Sequence, residues 1–321
     1  MKKFLTSSLL LASLLLSSCG KVSYDISMYK KEMNYHDNFK IMQLTDLHFG
    51  IEMDSDKEIK HLNKMLDIAK NEKYDLIVIT GDSFLDAKKA HVNLLINTID
   101  NANIPWAYTY GNHDFQGQYD SLYINDQIKK AKNAVFVDYD NDNIHGYTNY
   151  FINLKDGDAV KYRLFIIDSN SYHPTGFKYG YDIIHDEQIE HIKNIYKDAP
   201  ATALAFFHIP LTEYQVAYDL YKDGQILGQG ENNEPCCPGY TDKNHAFNWL
   251  KNCGVIATFT GHDHVNYSDL LYKDMILSYG VKSSDLVYHQ DDKIGYKLIT
   301  LPSDVGEFGL NKIESRFVLY E

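Results

Sequence analysis

The chain has 321 residues and is 44% hydrophobic, enough for one large α/β domain with a full core. Its net charge of −13 excludes general nucleic-acid binding, because that affinity rests on neutralising phosphates. The 31 basic residues include two arginines, Arg163 and Arg316, so bidentate phosphate clamps are scarce and a tight nucleotide reader is disfavoured.

The first residues read as a leader rather than as part of the fold. Lys2 and Lys3 precede a Leu- and Ser-rich apolar stretch, Phe4 to Leu16, too short to span a bilayer. It ends in Leu16-Ser17-Ser18-Cys19-Gly20, which resembles a bacterial lipoprotein signal: an aliphatic residue, two small residues, then the cysteine that is acylated. The expected organisation is a signal peptide over 1–18, a polar tether over 19–38 and one domain over 39–321. The mature protein would be a monomer held by lipid on Cys19 at the extracytoplasmic face of the cell membrane. Cys236, Cys237 and Cys253 remain. In an oxidising compartment Cys253 can pair with one of the other two, or all three can be small buried apolar residues.

Along the chain, strands alternate with helices. Phe39 to Thr45 reads as a strand followed by Asp46-Leu47-His48. Helical spacing of Ile59, Leu62, Met65, Leu66 and Ala69 predicts a helix over 55–70. Asp75 to Thr80 is a strand ending in Gly81-Asp82, and a helix follows with Val92, Leu95, Ile96 and Ile99 on one face. The third strand, Ile104 to Tyr110, stops at Gly111-Asn112-His113-Asp114, where Gly111 suits a tight or left-handed turn. A helix over 120–131 and strands over 135–138, 149–154 and 161–168 come next, the last two joined by a hairpin at Lys155-Asp156-Gly157-Asp158. A helix over 185–197 leads to a strand over 201–207 that ends in His208-Ile209-Pro210. Residues 211–240 are Gly-rich and unassigned. A helix over 242–252 and a strand over 255–260 end in Gly261-His262-Asp263-His264. Strands over 268–272, 275–280, 295–301 and 313–320 complete one domain with two β-sheets.

Five strands thus end in possible ligands, and ligands in open α/β sheets sit at the carboxyl ends of strands. Asp46 and His48, like His262 and His264, are two apart, so in extended chain each pair points to one side. Taken singly, Asp46 and Asp82 fit helix caps and His208 a core histidine. Together with Asn112 they give a nitrogen and oxygen donor set without thiolate, which suits Zn, Mn or Fe. Seven ligands exceed one tetrahedral ion and suit two ions sharing a carboxylate. The nine other histidines (His36, His61, His91, His145, His173, His185, His191, His245 and His289) read as surface residues, with His173 in a loop within reach of a substrate. Asp263 reads as support for the turn between two ligands.

With these five motifs in this order, the chain resembles the calcineurin-like metallophosphoesterases, the family that includes purple acid phosphatases. The resemblance implies a four-layer α/β/β/α fold, two sheets packed as a sandwich between helices. It implies one metal on Asp46, His48, Asp82 and His264, and another on Asp82, Asn112, His208 and His262, with Asp82 bridging. His113 would stabilise phosphoryl charge or protonate the leaving oxygen, and Asp114 would orient His113 or brace the turn. Two ions ~3.5–4 Å apart lower the pKa of water from ~15.7 towards ~7, so a bridging hydroxide attacks phosphorus. Purple acid phosphatases carry a tyrosine three residues after the bridging Asp. Here Leu85 stands there, so ligation of ferric iron by that tyrosine is not expected. The implied activity is di-metal hydrolysis of small phosphate esters, monoesters first. A phosphodiesterase acting on nucleotides or surface polymers is the alternative, and a lipoprotein that binds a ligand without turnover is a further one.

Overall fold

The computed structural model describes residues 25–50, 55–120, 122–138, 143–240 and 245–318. The leader and Cys19 lie outside the described residues. The strands are β1 (Lys30–Asn34), β2 (Phe39–Leu44), β3 (Leu76–Thr80), β4 (Trp106–Thr109), β5 (Asn149–Asp156), β6 (Ala159–Ile167), β7 (Ala203–Phe206), β8 (Gly228–Gln229), β9 (Val255–Thr260), β10 (Asp269–Tyr272), β11 (Met275–Tyr279), β12 (Gly295–Leu301) and β13 (Ile313–Phe317). The helices are α1 (Ser55–Asn71), α2 (Lys89–Asp100), α3 (Tyr123–Ile128), α4 (Asp186–Asp198), α5 (Glu213–Lys222) and α6 (Ala246–Asn252).

Two sheets face each other. One has the order β13-β12-β2-β3-β4, and the other β1-β5-β6-β7-β9-β11-β10-β8. In the first, β2, β3 and β4 run parallel. In the second, β6, β7, β9 and β11 run parallel. The sheets touch through side chains: the Tyr150 hydroxyl accepts from the Tyr108 amide at 3.1 Å, and Gln43 Nε2 donates to the Thr260 carbonyl at 2.9 Å. Helices α1 to α3 cover the five-stranded sheet and α4 to α6 the eight-stranded one.

Burial explains the strand compositions. All five residues of β3, Leu-Ile-Val-Ile-Thr, are buried, the near-continuous apolar run of a parallel strand covered on both faces. Each such side chain contributes about 1.5–3 kcal/mol relative to exposure. Helix α2 buries Val92, Leu95, Ile96 and Ile99, one stripe at helical spacing. The Gly157-Asp158 pair links β5 to β6, with Gly157 at φ 58°, as a two-residue hairpin requires.

Three expectations need correction. Residues 26–34 are not tether: a 3-10 turn leads into β1, which pairs in parallel with β5. Four of its five side chains are polar and Met33 alone packs on the core, so the strand, held mainly by backbone pairing at the sheet edge, shows no pattern in the sequence. Residues 135–138 form no strand. A single bridge joins Trp106 to Ala134, and Asp138 then turns away to accept from Asn125 and Lys129 of the α3 segment. The unassigned stretch contains α5, whose full burial is limited to Tyr214 and Ala217, too little apolar pattern to be read. Of the two readings open for the cysteines, the structure has the free thiols: no disulfide joins Cys236, Cys237 and Cys253, with Cys236 and Cys253 buried and Cys237 exposed.

Candidate metal centre

The strands β2, β3 and β4 of one sheet and β7 and β9 of the other end along a shared edge. Just beyond them stand Asp46, His48, Asp82, Asn112, His208, His262 and His264, all buried. Ligand atoms of Asp46, His48, Asp82 and His264 lie within 4.8 Å of one another. Those of Asp82, His208 and His262 do likewise, so Asp82 is common to both groups. Its Oδ2 lies 3.8 Å from His48 Nε2 and 3.1 Å from His208 Nε2. Asp46 Oδ1 lies 3.5 Å from His264 Nε2.

The other carboxylate oxygens bind the neighbouring turns together. Asp82 Oδ1 accepts the His113 amide at 2.8 Å, tying the β3 end to the β4 end. Asp46 Oδ2 accepts from Thr45 Oγ1 at 2.8 Å and from the His262 amide at 3.1 Å, tying the two sheets. The imidazoles are aimed from behind. His208 Nδ1 donates to the Thr80 carbonyl at 2.8 Å and His264 Nδ1 to the Tyr288 carbonyl at 3.0 Å. A carbonyl only accepts, so each Nδ1 carries its proton and Nε2 is the nitrogen turned towards an ion.

The turns are strained. Asp46, His48, Asp82 and His262 have φ of 56°, 52°, 49° and 80°. Non-glycine residues there cost on the order of 1–3 kcal/mol each. The segment after β11 offsets part of that cost. Lys282 Nζ donates to the Asp46 carbonyl at 2.8 Å, Ser284 Oγ to the Leu47 carbonyl at 2.8 Å, and Ser283 Oγ accepts the Thr45 amide at 3.1 Å. Gly111, expected to suit a tight or left-handed turn, does not have positive φ. It is glycine because a Cβ there would collide with the amide and carboxylate of Asp82. The left-handed glycine is Gly81, at φ 83°.

Protonation also suits metal. Burial pushes His48 down to about 4 and His262 to about 3, so both are neutral imidazoles, the form that ligates. Burial works against charge on His208, yet Asp82 and Asp46 outweigh it and raise the group to about 10. An ion there displaces a proton. His48 Nδ1, His262 Nδ1 and both amide atoms of Asn112 are buried without a hydrogen-bond partner. An unpaired buried amide costs about 1–3 kcal/mol, so this donor set fits bound cations better than it fits a closed polar core.

Around this centre, Asp114 touches no imidazole. Its carboxylate accepts the amides of Ser83, Phe84 and Gly111 at 2.7, 3.0 and 2.7 Å, which braces the Asp82 turn. His113 is partly exposed. Its ring stands 5.5 Å from that of His48, and its Nδ1 is 2.7 Å from Gln116 Oε1. Gln116 Nε2 in turn donates to the Tyr172 hydroxyl at 2.9 Å. Asp263 supports its turn by accepting from Tyr279 at 2.5 Å and from the Cys237 amide at 3.1 Å. Leu85 is half-buried and offers no ligand atom. His173 does not reach the centre; its ring packs on Tyr240 at 4.3 Å. His61 and His191, read as surface residues, are 3% exposed. Sequence reasoning missed the aromatic flanks: Tyr181 meets the His262 ring at 4.2 Å and Tyr288 stacks on His264 at 4.2 Å.

Comparison with known proteins gives concordant results. Residues 39–266 match the model of the family described as Calcineurin-like phosphoesterase. The chain is 28% identical over 262 residues to "Phosphatase DCR2" of Saccharomyces cerevisiae, covering 71% of this chain and 44% of that protein. The chain thus spans less than half the length of the yeast relative. It is 24% identical over 310 residues to "Probable inactive purple acid phosphatase 14" of Arabidopsis thaliana, covering 83% and 76%. The crystal structure of a dimetal phosphatase from Danio rerio has the same fold, with a TM-score of 0.55 at 11% identity, covering 83% and 96%.

Proposed function

Because the chain belongs to the calcineurin-like phosphoesterases, we propose that its strand ends hold two metal ions and that it hydrolyses small phosphate monoesters. The observation that carries the reading is the Asp82 carboxylate, shared between two groups of ligand atoms, beside an Asn112 amide with no protein partner. Asp46, His48, Asp82 and His264 would hold one ion, and Asp82, Asn112, His208 and His262 the other, each Zn, Mn or Fe by the chemistry of its donors. When bound, the pair supplies Lewis acidity at phosphorus and a water acidic enough to attack near neutral pH.

The remaining roles belong to the chain itself. Asp114 keeps the Asp82 turn from relaxing, and Lys282 and Ser284 do the same for the Asp46 turn. His113 is the residue placed to give a proton to the leaving oxygen. Gln116 Oε1 is an acceptor, so it fixes the proton on His113 Nδ1 and leaves Nε2 as the atom that exchanges with substrate. Tyr181 and Tyr288 wall the entrance beside His262 and His264 and exclude bulk water from those rings.

The lipoprotein-like leader supports a location at a membrane surface, where Cys19 would be lipidated at the outer face; replacing Cys19 by Ala would then release the protein into the soluble fraction. The hydrolytic reading is tested with purified protein of measured metal content and a panel of chromogenic phosphate esters. Turnover of monoesters ahead of diesters is expected. Diester turnover alone would transfer the reading to a phosphodiesterase, and turnover of neither by protein carrying both ions would leave the binding-lipoprotein reading.

A further inference from the structure

A second histidine cluster lies away from the strand ends. His145, in the loop before β5, meets Asp182 and His185, which lead into the N-terminus of α4. Asp182 is 3% exposed. Its Oδ1 accepts the Ile183 amide at 2.9 Å and lies 3.0 Å from His185 Nε2, and its Oδ2 lies 3.8 Å from His145 Nε2. The three ligand atoms lie within 4.8 Å of one another. A tetrahedral zinc ion, with bonds of about 2.0–2.2 Å, holds its donors roughly 3.4 Å apart. The two imidazoles lie 3.0 and 3.8 Å from Asp182, each on its own carboxylate oxygen, close to that spacing.

Two further features favour a cation. The rings of His145 and His185 are close, with centroids 4.1 Å apart and planes inclined at 32°, so protonating both would set like charges side by side. Glu187, in the first turn of α4, adds negative potential at both rings. The His145 side chain is 46% exposed, which gives an ion a path in and leaves coordination positions for water.

We infer that His145, Asp182 and His185 form a further metal site, separate from the strand-end centre, that takes a borderline divalent ion such as zinc on two imidazoles and one carboxylate. Its place gives it a consequence. The Asp182 amide donates to the Ser171 carbonyl at 3.2 Å, and Tyr172 and Tyr181 form a bridge within the same strap. That strap carries Tyr181 against His262 and Tyr172 against Gln116, the partner of His113. An ion on Asp182 anchors the strap that walls the entrance. The inference does not depend on the hydrolytic reading.

The test is a zinc titration of chelator-stripped, full-length protein, with bound zinc counted by elemental analysis after gel filtration. Wild type is compared with His145→Ala, His185→Ala and Asp82→Asn. His145 is exposed, so its truncation leaves the fold intact. His145→Ala and His185→Ala should each bind one zinc equivalent fewer than wild type. Asp82→Asn should keep the equivalent that those variants lose. A His145→Ala protein that binds as much zinc as wild type, or an Asp82→Asn protein that binds none, would overturn the site.

Discussion

Two buried polar clusters join the sheets of this protein, and they are built on opposite plans. Lys297 of β12 and Asp269 of β10 pair at 2.8 Å, 0% and 1% exposed. Every proton of that ammonium has a partner: Asp269, the Tyr267 carbonyl at 3.1 Å and Ser315 Oγ at 3.0 Å. Asp269 also accepts from Ser278 and Gln229. The backbone of both residues is regular strand. At the strand ends, by contrast, four residues sit at positive φ and several nitrogen and oxygen atoms have no hydrogen-bond partner. A cluster that only holds sheets together spends all its polar capacity. A cluster that receives ions keeps donors in reserve and stores strain to aim them.

The contrast can be broken or sharpened by experiment. The largest effect is expected from chelation. Stripping metal should abolish ester hydrolysis, with recovery on adding Mn or Zn, and should lower the melting temperature; an unchanged rate in metal-free protein would remove the distinction between the clusters. Next is His113→Ala. It should retain the strand-end ions and lose roughly 10²–10⁴-fold in turnover, the usual range for a missing general acid. The loss should shrink for substrates whose leaving group needs no proton, so a nitrophenyl and an alkyl phosphate should be compared.

Lys297→Met leaves Asp269 buried without its cation and should cost about 3–5 kcal/mol of stability by urea unfolding. Replacing both partners by apolar residues should restore most of that, and activity should be unaffected in either protein. The smallest effect is expected outside both clusters, at Asp100, the last residue of α2. Burial alone would raise its pKa, but bonds from the Asn133 and Lys132 amides and Trp106 Nε1 hold it below the usual carboxylate value. A depressed carboxylate stabilises the fold above its unfolded pKa of ~3.9 and loses that contribution as pH falls through the folded value. Asp100→Asn should therefore cost about 1 kcal/mol at neutral pH, allowing for solvent screening, and about nothing near pH 2. Thermal melts of both proteins across that range measure it.

The parts legible in the sequence are those where one physical signal dominates. Strands β3 and β9 are largely apolar runs that stop at Gly-Asp and Gly-His, so their ends and the polar residues beyond them stand out. The parts that were not legible depend on tertiary context. Strand β1 is polar and exists through pairing with β5. Helix α5 buries too little to show a stripe. Lys282 and Ser284 lie far along the chain from the Asp46 turn they support, and nothing local marks them. His145 is separated by the β5–β6 hairpin from Asp182 and His185, so the third cluster appears once the chain is folded. Gly111 shows the finer limit: its type marks a backbone constraint, and of the tight and left-handed geometries it permits the left-handed one is not used; close approach to Asp82 is what requires glycine.

The central claim is that Asp82 serves two ions at once. It is tested most directly by the metal content of Asp82→Asn, shown by circular dichroism to be folded, beside that of wild type. A shared carboxylate predicts that both strand-end ions are lost together and hydrolysis with them. Retention of either strand-end ion at wild-type affinity would contradict it.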